Sequence, residues 1–223
     1  MSNVLTRQPI GVLGGTFDPI HYGHLRIAIE IYEQCHLAEV RLIPSAFPPL
    51  RQPPLASAEL RLTMVKLALH NVMGLTVDDR EFKQTAPSYT VNTLQSLRRD
   101  YPDTPLCFII GMDAFINLPK WHQWQQLSEL AHFIILQRPN YALPSSSPLH
   151  TLLAKQVSTP QALRKQTAGL VFFANVPSCD ISATRIRKHI AAGKQLAGLV
   201  PASVLEFIQT HQLYLHTNDR TIA

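Results

Sequence analysis

Short apolar runs alternate along this chain with longer segments in which apolar residues recur every three to four positions. The short runs predict buried strands, and the helical spacing predicts amphipathic helices between them. The predicted strands are Ile10–Leu13, Glu39–Ile43, Gly74–Val77, Leu106–Ile110, His132–Leu136 and Leu170–Ala174. The predicted helices are Tyr22–Gln34, Ala58–His70, Val91–Tyr101, Gln123–Leu130, Ala183–Ala192 and Ala202–His211. This order predicts an α/β fold, an open parallel sheet with helices on both faces.

Polar residues and glycine mark several boundaries of these elements. Ser57 and Thr90 precede helical patterns and are predicted N-caps, Ser182 is either an N-cap or a ligand contact, and Gly193 is a predicted stop. The proline-rich segment 44–54 follows a strand directly, where ligands bind in open α/β sheets. The chain shows no internal repeat, and segment 144–148 is predicted to be a loop rather than a domain linker. We therefore expect one domain over residues 1–223.

A glycine-rich turn joins the first predicted strand to the first predicted helix. Glycine lets a ligand approach the backbone, and a helix start favours a phosphate through its unpaired N–H groups. His21 and His24 lie three residues apart, on the same side of the first helical turn. The turn thus predicts a phosphate cradle with two imidazole donors, although single histidines often only cap helices. A metal pair would need a third ligand from another segment, and no second cluster supplies one. The run is Gly14-Gly15-Thr16-Phe17-Asp18-Pro19-Ile20-His21-Tyr22-Gly23-His24.

Two separated motifs resemble those of the nucleotidylyltransferase superfamily. The glycine-rich run resembles the signature G-G-T-F-D-P-x-H-x-G-H, and segment 181–187 resembles I-S-S-T-x-I-R, with Ala183 replacing the second serine. Three segments between them are similar to the bacterial nicotinate-nucleotide adenylyltransferases: Ala86–Thr90, Ile109–Asp113 and Pro119–Trp121. The resemblance covers about residues 8–215 and implies the Rossmann-like HxGH nucleotidylyltransferase fold.

The resemblance implies an enzyme that transfers AMP from ATP to nicotinate mononucleotide and releases pyrophosphate. Such phosphoryl chemistry depends on positioning and electrostatic stabilisation rather than on a protein nucleophile. Mg²⁺ is expected to enter with ATP, bound through the substrate phosphates, with no protein ligand cage. Two alternatives stay open: another superfamily transferase, such as a phosphopantetheine adenylyltransferase, and a nucleotide-binding module without catalysis. Trp121 and the Ser88–Thr90 segment argue against the first, and the joint presence of His21, His24 and Arg187 argues against the second.

The same resemblance implies the site residues. The catalytic candidates, which would contact the ATP phosphates, are His21, His24 and Arg187. The further ATP-binding candidates are Gly14, Gly15, Thr16, Phe17, Ser182 and Thr184. The mononucleotide-binding candidates are Arg51, Tyr89, Thr90, Asp113, Trp121 and Arg138. Asp18 is either catalytic or structural, and Leu50 stands where the family has a histidine.

The mononucleotide candidates have distinct expected roles. Trp121 would stack on the pyridine ring, with a place in the core as the alternative. Asp113, just past a strand end, would bind ribose hydroxyls. The helix start at Tyr89 and Thr90 would hold a ring carboxylate. No carboxylate lies near Tyr89 or Trp121 along the sequence, so we expect the acid to be preferred over the amide unless the fold brings one in.

Composition indicates which binding partners and which cellular compartment to expect. The net charge is +5, but the basic residues are scattered and interrupted by acidic ones such as Asp78, Asp79 and Glu81. Small anionic substrates fit this balance, and no nucleic-acid partner is predicted. Three widely spaced cysteines indicate reduced thiols. With no long apolar run and no signal-peptide pattern, we expect no membrane span and a cytoplasmic location.

Overall fold

The computed structural model describes residues 7–49, 52–84, 87–137, 147–177 and 179–215. Within these ranges, seven parallel strands form a sheet in the order β3-β2-β1-β4-β5-β7-β6. This sheet confirms the predicted Rossmann-like α/β architecture. The strands are β1 (Ile10–Gly15), β2 (Glu39–Pro44), β3 (Leu75–Val77), β4 (Leu106–Gly111), β5 (His132–Leu136), β6 (Gln156–Val157) and β7 (Val171–Ala174).

Helices follow most of the strands along the chain. None of the helices in the described ranges is long and apolar enough to cross a bilayer. Short 3₁₀ turns occupy Arg80–Lys83, Leu118–Lys120, Trp124–Gln126 and Pro160–Arg164. The α-helices are α1 (Tyr22–Gln34), α2 (Ala58–Leu69), α3 (Thr90–Asp100), α4 (Met112–Ile116), α5 (Leu127–Leu130), α6 (His150–Leu153), α7 (Ala183–Ala191) and α8 (Ala202–Thr210).

Alternate strand residues feed two hydrophobic clusters, one on each face of the sheet. In β4, Cys107 and Ile109 pack with α1, α2, α7 and α8. Phe108 and Ile110 point the other way and pack with α3 to α6. Because both faces are covered, the strands are nearly continuous apolar runs, as in other buried parallel sheets. The prediction of helices on both faces is therefore confirmed.

Several boundaries differ from the prediction. The elements β6, α4 and α6 were not predicted; each has five residues or fewer and is too short for a clear periodicity. The predicted helix Gln123–Leu130 is interrupted, because Gln123 adopts a left-handed conformation (φ 50°) and is followed by a 3₁₀ turn before α5 begins. Thr90 is the first residue of α3 and not its N-cap; Tyr89 holds that position without a side-chain bond.

Two predicted helix ends, Ser57 and Gly193, are confirmed, and Ser182 is found to be an N-cap, one of the two alternatives for it. Ser57 accepts a hydrogen bond from the Leu60 amide, and Ser182 accepts one from the Arg185 amide, both at 3.3 Å. Gly193 follows the C-cap of α7 with φ 63° and donates its amide to the Ile190 carbonyl at 3.0 Å. Glycine suits this position because it adopts a left-handed conformation without strain.

The strand order reverses direction between β1 and β4. From β1 the chain moves outward to β2 and β3, then returns to place β4 on the other side of β1. Ligands in open α/β sheets bind outside the carboxyl ends of the strands at such a switch point. Gly14 and Gly15 end β1 and Gly111 ends β4, so the glycine-rich turn lies at this point.

Candidate active site

The two histidines lie side by side at the start of α1. His21 is the N-cap, and its carbonyl accepts the amides of His24 at 2.9 Å and Leu25 at 3.2 Å. The two imidazole rings are stacked, with centroids 3.7 Å apart and planes inclined by 20°. The spacing of three residues thus brings both rings together, as predicted. We call residues Gly14–His24 the histidine turn.

Close packing explains two glycines of this turn. A Cβ at Gly23 would lie 2.9 Å from His21 Nδ1 and 3.2 Å from the Ile181 carbonyl oxygen, so a side chain there would displace the His21 ring. A Cβ at Gly15 would lie 2.9 Å from the Phe17 ring. A Cβ at Gly14 would meet no atom within 4 Å. Gly14 therefore leaves open space for a ligand, whereas Gly15 and Gly23 serve the packing of the turn.

Burial keeps the histidine pair neutral. It lowers the pKa of His21 to about 4, and it also lowers the pKa of His24. The nearby His21 lowers the pKa of His24 further. Among the described residues, neither Nδ1 atom has a hydrogen-bond partner, although both are buried. The pair therefore offers uncharged imidazole groups with unused hydrogen-bonding capacity.

Asp18 is a structural residue of the turn. Its buried carboxylate accepts the backbone amides of Leu55 at 2.8 Å and Ala56 at 3.1 Å, and the Tyr214 hydroxyl at 2.7 Å. It makes no capping bond to α1. The carboxylate thereby ties the histidine turn to the loop before α2 and to the end of the described chain. Since protein donors occupy both oxygens, the geometry favours the structural role over the catalytic one.

The second motif contributes Arg187 from α7. Its Nη1 donates to the Asp18 carbonyl at 2.8 Å, and its Nη2 donates to Thr184 Oγ1 at 3.3 Å. The fold thus brings the arginine of the second motif against the histidine turn, 169 residues away along the chain. Ser182 and Thr184 are exposed at the start of α7, where the Ser182 hydroxyl caps the helix.

Arg61 is a residue of this region that the sequence analysis missed. It is 1% exposed and its guanidinium donates to three backbone carbonyls, those of Thr16 at 2.7 Å, Ala56 at 3.3 Å and Ala46 at 3.4 Å. Burial lowers its pKa, and the negative charge of Asp18 opposes that effect. Arg61 shares a helix face with the buried Val65 and Ala68, a spacing that could have identified it as an inward-facing charge.

A cleft of about 490 Å³ opens beside the histidine turn, between the carboxyl ends of β1 and β4 and the start of α3. Seven predicted site residues line it: Gly14, Gly15, Thr16, Tyr89, Thr90, Asp113 and Trp121. Five others lie outside it around the histidine turn: His21, His24, Ser182, Thr184 and Arg187. Phe17 is also outside it; its buried ring packs edge-on against His24, with centroids 5.0 Å apart. Arg51 and Arg138 lie outside the described residues.

Aromatic rings form one wall of the cleft. Trp121 is half-buried and meets Phe108 edge-on, with centroids 6.2 Å apart, so it belongs both to the cleft wall and to the margin of the core. His122 also lines the cleft and stacks on Tyr89 at 4.4 Å. The sequence analysis missed His122, which becomes a neighbour of Tyr89 only through the fold.

Polar groups surround the same cleft. The Tyr89 amide donates to the Pro87 carbonyl at 2.8 Å, so the first helical amide available at the start of α3 is that of Thr90. The Asp113 side chain is exposed at the end of β4 and lies so close to Gly111 that a Cβ there would stand 2.7 Å from its Oδ1. Pro48 and Pro49 also line the cleft, and the preceding Phe47 amide donates to Ser88 Oγ at 3.0 Å.

The fold also brings a carboxyl group into the cleft. Glu81, in the 3₁₀ turn after β3, lines the cleft and is 7% exposed. The Thr93 hydroxyl donates to its Oε1 at 2.6 Å. Burial raises the pKa of Glu81, although Ser88, Thr93 and the Ala46 amide favour the charged form. Glu81 was not predicted as a site residue, because in sequence it resembles other acidic residues of a polar turn.

Comparison with known proteins adds to this geometry. A family model described as cytidylyltransferase-like matches residues 12–189. A protein of Aeromonas salmonicida, named as a probable nicotinate-nucleotide adenylyltransferase, is 46% identical over 94% of this chain and 99% of its own length. One of the same name from Methylococcus capsulatus is 44% identical over 92% of this chain and 99% of its own.

A solved structure shares the fold at low sequence identity. It is the Plasmodium falciparum nicotinic acid mononucleotide adenylyltransferase complexed with NaAD. The TM-score is 0.72 at 18% identity, over 93% of this chain and 98% of that one. At this identity the likeness concerns the arrangement of strands and helices.

Proposed function

Because the chain belongs to the cytidylyltransferase-like family, among the nicotinate-nucleotide adenylyltransferases, we propose that it transfers AMP from ATP to nicotinate mononucleotide. The products are nicotinate adenine dinucleotide and pyrophosphate. The family inferred from the two motifs is confirmed by these relatives. One observation carries the proposal for the site: Gly14, Gly15 and Thr16 line the cleft and also begin the histidine turn. A ligand bound in the cleft and a ligand bound at the histidine turn would therefore meet at these three residues.

The histidine turn is the proposed site of the ATP phosphates. A phosphate oxygen of the mononucleotide attacks the α-phosphorus of ATP, a new P–O bond forms, and the bond to pyrophosphate breaks. Neutral His21 and His24 can donate N–H groups to the phosphate oxygens, and Arg187 supplies a fixed positive charge. Donors placed before the reaction stabilise charge that develops in the transition state. No protein nucleophile is required.

The cleft is the proposed site of the mononucleotide. Trp121 offers an aromatic face for the pyridine ring. The Thr90 amide at the start of α3 can donate to a ring substituent, and Asp113 can accept ribose hydroxyls. Arg51 and Arg138 remain predictions for the same nucleotide.

Mg²⁺ is proposed to enter with ATP. In the part of the chain that the structure describes, no group of three or more His, Cys, Asp or Glu residues could hold an ion. An ion that enters with ATP would be held by phosphate oxygens and water, the usual arrangement for Mg²⁺ with nucleotides. When bound there, it would neutralise phosphate charge and orient the leaving group. His21, His24 and Arg187 would contact the remaining phosphate oxygens.

The test is an assay of pyrophosphate release with ATP and Mg²⁺. We expect release with nicotinate mononucleotide and none with phosphopantetheine or without an acceptor. Equal turnover with phosphopantetheine would instead favour another transferase of the superfamily. No turnover with either acceptor would overturn the proposed function.

A further inference from the structure

The proposed reaction leaves one buried carboxyl of the cleft without a role. Glu81 lines the cleft, and its Oε1 accepts the Thr93 hydroxyl at 2.6 Å. Its Oε2 is buried and accepts no hydrogen bond of good geometry within the described residues, although the Ser88 hydroxyl and the Ala46 amide lie close enough to favour the charged form of the carboxyl group. A buried carboxyl oxygen without a partner is costly unless a ligand or a proton satisfies it. The group is therefore prepared to bind something that enters the cleft.

The surroundings of Glu81 indicate which part of a ligand it would meet. Thr93 belongs to the first turn of α3, and Tyr89 and Thr90 at the start of that helix line the same cleft. A helix start favours a negative group, and the Thr90 amide can donate to it. The buried Oε2 thus lies in the same cleft as the place proposed for the substituent of the pyridine ring.

We propose that Glu81 determines whether the enzyme prefers a ring carboxylate or a ring carboxamide on its mononucleotide. In its protonated form, Glu81 donates the Oε2–H group to a carboxylate oxygen of the substrate. In its ionised form, it repels that carboxylate and accepts an N–H group of the amide instead. The inference rests on the proposed function, because it concerns the acceptor of that reaction.

The charged and titratable groups around Glu81 determine the direction in which its pKa is shifted. Burial and the negative charge of Asp78 raise the pKa of Glu81, and the Ser88 and Thr93 hydroxyls and the Ala46 amide oppose them. Arg41 and Arg80 lie 3.1 Å and 2.9 Å from Asp78 and keep it ionised. Arg61, on α2, is a cation that interacts electrostatically with Glu81. The cleft also contains Asp113, Lys120, Tyr89 and His122.

The ratio of the kcat/KM values of two substrates removes the effect of groups that act equally on both. Nicotinate and nicotinamide mononucleotides share the ribose and the phosphate, so titration of the phosphate and of groups that contact only the phosphate cancels in the ratio of their kcat/KM values. As the pH rises through the pKa of Glu81, kcat/KM for the acid should fall relative to kcat/KM for the amide. We expect the acid-to-amide ratio to fall by up to about tenfold per pH unit, in a pH range that lies above the pKa of an ordinary glutamate because burial raises the pKa of Glu81.

Glu81→Gln is the main variant, because glutamine keeps the shape and stays neutral. Its amide can donate to a carboxylate and accept from a carboxamide, so the ratio should be independent of pH. The exposed Glu59→Gln on α2 is the matched control and should keep the wild-type profile. A flat ratio in the wild-type enzyme, or a ratio that still falls with pH in Glu81→Gln, would overturn the inference. If Glu81→Gln fails to fold, Thr93→Val replaces it: loss of the hydroxyl that donates to Glu81 Oε1 should raise the pKa of Glu81 and move the fall of the ratio to higher pH, and an unmoved profile would overturn the inference.

Calorimetry gives a second readout that does not depend on turnover. Titrations of each mononucleotide into the enzyme in buffers of different ionisation enthalpy measure the protons taken up on binding. Above the pKa of Glu81, the acid should take up close to one proton more than the amide; equal uptake would contradict the inference. Turnover with a flat ratio overturns only the role of Glu81, whereas no turnover with either mononucleotide overturns the proposed function.

Discussion

The histidine turn and the cleft are built in opposite ways. Eleven consecutive residues, Gly14–His24, contain both histidines and the glycines that seat them, and the turn is fixed by internal contacts. The cleft is assembled from the ends of β1 and β4, the start of α3 and the 3₁₀ turn after β3. The first region carries fixed neutral donors, and the second combines an aromatic wall with a titratable carboxyl group.

This difference indicates a division of work. Adenylyl transfer needs groups that are strongest when the phosphate charge rearranges, and a rigid turn can supply them. Discrimination among acceptors needs a surface that matches one ring substituent, and separated segments can change independently to provide it. We therefore expect changes in the histidine turn to lower kcat and changes in the cleft to alter KM and selectivity.

Among the variants considered, His24→Ala should lower activity the most. Loss of one donor to a transition-state oxyanion costs about 2.7–4 kcal/mol, or 10²–10³-fold in kcat. Because the interaction forms chiefly in the transition state, kcat and kcat/KM should fall together. Steady-state kinetics with nicotinate mononucleotide measures both. The exposed His70→Ala is the control, and an unchanged kcat in a folded His24→Ala enzyme would contradict the assigned role.

The same contrast explains what the sequence could predict. The histidine turn lies within one continuous motif, and the major strands are unbroken apolar runs, so both are visible in a single sequence. Contacts between distant segments leave no such local signal. The bond from Tyr214 to Asp18 spans 196 positions, and Glu81 meets α3 through its hydrogen bond with Thr93, twelve positions away.

Arg61→Met should test whether the rigidity of the histidine turn depends on support from α2. The substitution removes donors from the Thr16, Ala46 and Ala56 carbonyls and leaves buried acceptors unsatisfied. We expect the free energy of unfolding to fall by about 1–3 kcal/mol, measured by urea denaturation. Since Thr16 is part of the turn, kcat should also fall. The control is Arg99→Met at an exposed site of α3, and equal stability of the two variants would exclude this supporting role.

Trp121→Ala should have the smallest effect, and it tests the cleft side of the comparison. If the indole stacks on the pyridine ring, its loss should weaken binding of the mononucleotide by about 0.5–1.5 kcal/mol. KM should therefore rise roughly 2–13-fold, with kcat little changed. The penalty should be similar for the acid and the amide, because stacking acts on the ring and not on its substituent. The acid-to-amide ratio and its pH dependence should therefore survive in this variant. Trp124→Ala is the matched control, since Trp124 packs against the same hydrophobic cluster without lining the cleft. Both variants should lose stability, but only Trp121→Ala should raise KM. An unchanged KM with a lowered Tm in Trp121→Ala would place this residue in the core alone and assign acceptor binding to the polar groups of the cleft.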